Sequence, residues 1–411
     1  MSRKHLLLVL GPNSWGRGVM ALRIAEELRA TGGEALFVAA DSVGPLFEGT
    51  GFRVERVAGH LGPLLELLLQ DVIRTERPDA LILCDFNSVH ATLRAHRCGT
   101  EALTRHGLPL IAMDTWDYRE SGFVIDRTDT ESLAVSRWIE ALPWRLLPVP
   151  ILRPELRPGA FRCISTDGSQ RADTRRAAAR EALGLSEADR CVLFCSADWQ
   201  LAKHHPPATR RVIDAVNGVM ARCLERLGPR VHLLHVGPAP VEAWSVLGSR
   251  YRPSPQVSDP EFDVLLGAVD LMLSANVAAT TVTRAIVAGI PTVVLHNSRA
   301  LHADGPSPEQ GGAPSWMLEL FPLHPFLLWP LKYRAYLEPV LAGNSYCEAF
   351  ERVELVEEER LEAVCRALLF EGPARSAHRQ RQEDYLVRLG KLPTAAQVID
   401  GYLSGDTTCA A

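Results

Sequence analysis

Short apolar runs alternate with segments of helical period along the first 150 residues. "HLLLVL" (5–10) predicts a strand that ends at Gly11, "VMALRIAEELRATG" (19–32) a helix with a glycine stop, and "EALFVAA" (34–40) a second strand. The alternation continues with "FRVERV" (52–57), a leucine-rich helix at 62–76, "DALILC" (79–84), a helix at 88–106 and "LPLIAMD" (108–114). Strands this apolar must be covered on both faces, as in a parallel, doubly wound sheet, where ligands meet the carboxyl ends of the strands. The loops after residues 10, 40, 84 and 113 are therefore the ones to inspect.

The pattern breaks at "PVPILRPELRPGA" and the polar stretch after it, then resumes with strands at "CVLFCSA" (191–197), "RVHLLHVG" (230–237), "VDLMLSA" (269–275) and "PTVVLHN" (291–297). Residues 298–346 have no period and are expected as an irregular wall; 355–404 return to helical spacing. The expected organisation is a Rossmann-like domain at 1–150, a linker at 151–188, a second Rossmann-like domain at 189–345 and C-terminal helices at 346–411.

Composition narrows the function. A chain of 411 residues, 47% hydrophobic and 23% charged, is long enough for two buried cores. A net charge of −5 argues against nucleic acid or an anionic membrane surface as the main partner. Nine cysteines without a CxxC pair point to reduced thiols and a cytoplasmic setting, with no zinc cluster. The apolar run at the start spans about six residues, below the roughly 7–15 of a signal peptide. No run of about 18 apolar residues is present to span a membrane.

Chemistry concentrates in "SANVAATTVTRAIVAGIPTVVL" (274–295), a strand end, a tight polar loop, a helix and a second strand. A helix start rich in small residues and threonines offers unpaired N–H groups to a phosphate. The plain alternative is a closely packed βαβ unit. The wider stretch "FDVLLGAVDLMLSANVAATTVTRAIVAGIPTVVLHNS" resembles the donor-binding signature of GT-B nucleotide-sugar glycosyltransferases, through Leu265, Leu266, Asp270, Ser274, Thr281, Ala285, Gly289 and Pro291. "GPNSWGRGVMALRIAEELRATG" is similar to their glycine-rich N-terminal loop and helix. The resemblance implies a GT-B-like α/β fold, two doubly wound domains facing a cleft, and a diphosphate at the 276–284 helix start. The chain departs from it twice. Arg17 stands where a Gly-His pair would supply a base, and Arg284 where a helix acid would meet the ribose. Both are fixed cations, so the expectation is another base with a more anionic ligand, or a scaffold turned to a different task.

"AMDTWDYRES" follows an apolar strand and offers Asp114 and Asp117 as bases, with Trp116 and Tyr118 as an acceptor wall; alternatively Asp114 caps a turn and Asp117 starts a helix. Asn13, Trp15 and Asp85 complete the acceptor side, with Arg17 beside the bases. On the donor side stand Ser196, Trp199, Lys203, His235, Asn276, Thr280, Thr281 and Arg284. A solvated loop competes for 198–203, and a satisfied core role for His235 and His296. There is no GxSxG elbow, no GxxxxGK[ST] and no GxGxxG after the first strand.

The chain is thus expected to be a metal-independent, cofactor-free transferase that moves a sugar from a nucleotide-sugar donor to a small acceptor. A homodimer is left open. An epimerase or hydrolase on the same scaffold, a non-sugar transferase, and a catalytically silent accessory protein are the alternatives.

Overall fold

The computed structural model describes residues 2–11, 15–59, 61–128, 131–165, 169–299, 323 and 325–405. They form two compact units. The first comprises 1–124, 134–164 and 388–411, and the second 125–133 and 165–387.

In the first unit β1 (Lys4–Val9), β2 (Glu34–Ala40), β3 (Arg53–Val57), β4 (Ala80–Leu83) and β5 (Leu110–Met113) are the strands that the apolar runs predict. Next in the chain, β6 (Val124–Asp126) and β7 (Ser132–Ala134) make a small two-stranded sheet of their own, most of it in the 125–133 segment of the second unit. With β8 (Trp144–Val149) and β9 (Ala160–Arg162) the main sheet has seven parallel strands in the order 3-2-1-4-5-8-9. Leu6, Leu7, Leu8, Ile82 and Ile111 are fully buried in it. Truncating one of them to alanine would cost about 2–5 kcal/mol.

The second unit repeats the grammar. Its strands β10 (Arg190–Cys195), β11 (Val231–Val236), β12 (Tyr251–Ser254), β13 (Leu271–Ser274), β14 (Thr292–His296) and β15 (Glu351–Glu354) lie parallel in the order 12-11-10-13-14-15. In both sheets the order reverses beside the first strand, between β1 and β4 and between β10 and β13. Those are the switch points where such sheets bind ligands.

Three boundaries differ from the sequence reading. The helix expected at 88–106 is two pieces, Phe86–Ala95 and Glu101–Thr104, separated where Arg97 turns to φ 57°. The expected linker carries β9 and the helix Ser169–Ala182. Gly159, at φ +79°, lets the chain enter β9, because a Cβ there would lie 2.1 Å from the Arg145 carbonyl. The C-terminal stretch is not one helical appendage. It supplies β15 to the second sheet, and its last helix, Ala395–Ser404, packs in the first unit. There Glu27 accepts the Ala395 N–H at 2.8 Å, and the Tyr402 hydroxyl donates to the Arg145 carbonyl at 2.7 Å.

Candidate functional site

At the second unit's switch point β10 ends at Cys195 and delivers Ser196 to the carboxyl edge. Ser196 Oγ lies 2.8 Å from His235 Nε2, and His235 Nδ1 lies 3.0 Å from the Tyr251 hydroxyl. That hydroxyl accepts the Val241 N–H at 2.8 Å. Tyr251 Oη, which already accepts the Val241 N–H, still has its one hydrogen to give, and we assign it to Nδ1, the tautomer in which His235 carries its proton on Nε2 and donates it to Ser196. His235 is fully buried, and burial lowers its pKa to about 4, so the ring is neutral at physiological pH. With that assignment Ser196 accepts from histidine and keeps its own O–H to donate. In that tautomer the imidazole gives Ser196 a proton and does not withdraw one from it. Gly237 makes room for the contact: a Cβ there would fall 2.4 Å from Ser196 Oγ.

On the neighbouring strand, β13 runs into Asn276, whose Oδ1 accepts the Ala278 N–H at 2.9 Å and shapes the turn. The helix Thr280–Val287 follows without a side-chain cap, which leaves its first amides and Thr280 at the carboxyl edge. Thr281 turns inward beside Cys195, whose thiol burial pushes up to about 12.

Arg284 corrects an expectation. Its guanidinium bonds Asp259 Oδ1 at 2.7 Å and Asp263 Oδ1 at 2.5 Å, lies 4.5 Å over the Phe262 ring and is 12% exposed. It is a tie between two helices, not a cation held out to a ligand. Lys203, 65% exposed and 3.5 Å from Asp198, belongs to a solvated loop, and the Trp199 carbonyl accepts from His205 Nε2 at 2.8 Å.

Sequence reasoning missed Tyr251, Gly237 and Glu354 here, and it named Gln200 only as part of the 198–203 loop. Tyr251 and Gly237 set the His235 chain. Buried Gln200 joins the Ala197 N–H at 2.7 Å to the Trp329 carbonyl at 3.0 Å. Glu354 holds His296 Nε2 at 2.9 Å at the ends of β14 and β15. Burial works to raise the Glu354 pKa, but hydrogen bonds from His296 and Ser298 outweigh it and hold it at about 2. A polar residue recurring at the last position of a strand was the available signal for Glu354.

At the first unit's switch point Arg17 Nε meets Asp85 Oδ2 at 3.2 Å, and the guanidinium lies 5.3 Å over the Trp116 ring. Asp85 sits at φ 74° and leaves its helix start uncapped; its carboxylate takes the Ser88 hydroxyl at 2.6 Å and Arg17 instead. A non-glycine residue in that left-handed region is strained, and the carboxylate aimed at Arg17 is what the strain achieves. Arg17 is 29% exposed, and no described residue hydrogen-bonds its terminal nitrogens. Trp15 opens the helix beside it, half-buried; Asn13 lies outside the described residues.

Asp114 and Asp117 do not sit as bases should. Asp114 is fully buried, accepts the Tyr118 N–H at 3.1 Å and bonds Arg145 at 3.1 Å. Burial raises its pKa to about 6 against the pull of Arg145. Asp117 opens the short helix Tyr118–Ser121 and bonds Arg157 at 2.5 Å. Tyr118 is fully buried against Phe86 rather than walling an acceptor. The turn-capping alternative describes this stretch.

Two Rossmann-like units, each with polar groups gathered at its switch point, define a GT-B fold. Solved structures agree: the lipopolysaccharide glycosyltransferase WaaG (14% identity, TM-score 0.55, 98% of this chain and 100% of that one) and Anabaena HepE in complex with UDP and glucose (14%, 0.55, 98% and 100%). The Neisseria meningitidis UDP-GlcNAc 2-epimerase bound to UDP-GlcNAc is equally similar (10%, 0.56, 98% and 100%). Residues 24–404 match DUF6365, a family of unknown function, and the chain belongs to that family. No curated protein matches it. Among the described residues no helix is long and apolar enough to cross a membrane.

Proposed function

We propose that this chain is a nucleotide-sugar enzyme that transfers a sugar to a small acceptor in the reducing interior of the cell. The carrying observation is the pairing, after adjacent strands, of the Ser196 hydroxyl with an uncapped helix N-terminus. Ser196 and the first amides of Thr280–Val287 are the two donor types that hold a diphosphate, and both stand at the carboxyl edge. The likeness to transferases and epimerases that share the fold supports the ligand class. Arg17, held by Asp85, is the cation offered on the acceptor-side unit. The diphosphate is met by hydroxyl and amide donors without an assigned metal.

Calorimetry with UDP and other nucleoside diphosphates tests the reading. Ser196→Ala should weaken binding by about 1.5–3 kcal/mol, the worth of a hydrogen bond to a charged group. Unchanged affinity places the diphosphate elsewhere. Mass spectrometry of products then separates transfer, which releases the nucleoside diphosphate, from epimerisation, which returns a nucleotide sugar of equal mass.

A further inference from the structure

We propose a second ligand site in the second unit: a pocket at the amino edge of its sheet that binds a single phosphate group, as the free ion or a phosphomonoester. The pocket, of about 170 Å³, lies beside the starts of β13 and β14, and Arg176, Arg375, Ser376 and Arg379 border it with Gly267 and Gly289. It is independent of the diphosphate reading, which concerns the opposite, carboxyl edge of the same sheet.

Charge accounting singles out Arg375. The acidic group it faces, Asp270, is already engaged by Arg176 at 2.5 Å, Arg180 at 3.1 Å and the Cys191 N–H at 2.8 Å. Arg176 and Arg180 also donate to the carbonyls of Val269 and Ala268. No described residue forms an ion pair or hydrogen bond with the Arg375 guanidinium, and its charged neighbours besides Asp270 are Arg176, Arg190 and Arg379. Burial and those like charges push its pKa down, the direction expected where an anion is wanting. Arg379 is tied at 3.3 Å to Glu383, but both side chains are about half exposed, so the tie is weak.

Local structure adds a neutral donor. The helix Gly372–Gly390 brings the Ser376 hydroxyl to the pocket beside the arginines. Gly289, at φ +68°, keeps the opposite wall low; a Cβ there would come 3.7 Å from Arg379 Nε. The volume decides the ligand class, because sites for drug-sized ligands run to about 300–1,000 Å³ and this one holds one oxyanion group and little more.

The test is thermal melting and calorimetry of the full chain with sodium phosphate against sodium chloride at equal ionic strength. Phosphate should raise the melting temperature above the chloride control, and Arg375→Gln should weaken phosphate binding at least tenfold while UDP binding is kept. With Ser196→Ala the phosphate response should survive. A wild-type response no larger than chloride's, or an Arg375→Gln response equal to wild type, overturns the proposal. So does a response abolished by Ser196→Ala, which would assign the phosphate to the carboxyl edge. Should Arg375→Gln not fold, Arg379→Gln is read by the same criteria.

Discussion

His235 and Ser196 are hydrogen-bonded across 2.8 Å, and the other ring nitrogen of His235 meets the hydroxyl of Tyr251, 16 residues away in sequence, at 3.0 Å. Burial keeps this imidazole neutral, and in the tautomer assigned above Ser196 keeps its proton to donate.

That neutrality has a pH signature. With a folded pKa of about 4 against an ordinary 6.5, the unfolded chain binds the proton first as pH falls. The stability tied to this ring is complete above pH 6.5 and is lost between there and pH 4, on the order of 3 kcal/mol in all. His235→Gln, which can donate to Ser196 and accept from Tyr251, should lack this component when urea unfolding is compared at pH 7 and pH 4.5. An equal pH slope in the two proteins would mean the ring titrates normally.

Arg284→Gln separates a helix tie from a ligand contact. Losing the bonds to Asp259 and Asp263 should lower unfolding free energy by about 1–3 kcal/mol, while nucleoside diphosphate affinity, normalised to folded protein, stays within threefold. A large loss of affinity with stability intact would return Arg284 to the donor site.

Asp114→Asn should not behave as removal of a base. A carboxyl raised from 3.8 to about 6 in the fold destabilises it at neutral pH, and that cost declines as pH falls below 6 and is gone below 3.8. Asparagine mimics the protonated form, so the variant should be as stable as wild type at pH 8 or more so, by up to about 3 kcal/mol, with turnover within a few-fold. A hundredfold fall in turnover with stability preserved would restore Asp114 to the chemistry.

Arg17→Gln and Asp85→Asn test the acceptor-side pair. If Arg17 stabilises developing negative charge, its loss should reduce turnover about 10²–10³-fold with donor affinity unchanged. Asp85→Asn, which removes the charge that orients it, should fall between that variant and wild type. Full activity in both would remove the pair from the reaction.

Alternation of apolar strand and amphipathic helix was legible along nearly the whole chain, because a parallel strand covered on both faces has to be apolar throughout. The strands β1 to β5, β10, β11, β13 and β14 could be read that way, and so could the loops that carry Ser196, Asp85 and the Thr280 helix start. Short strands such as β9 and β15 carry too few residues for a period to show, and β15, "ERVE", is polar because it is an edge.

The sequence by itself determined the fold class, two doubly wound sheets, and which loops stand at the carboxyl ends of the strands, since both follow from local periodicity and chain order. Partner choice among side chains was decided only by tertiary structure. Arg284 could have faced a ligand and faces two aspartates, Asp114 could have been a base and is buried under Arg145, and His235 is oriented by a tyrosine on another strand. The reason is physical: a charged or hydrogen-bonding group is worth what surrounds it, and those surroundings come from residues tens of positions away that only the folded chain brings within about 3 Å.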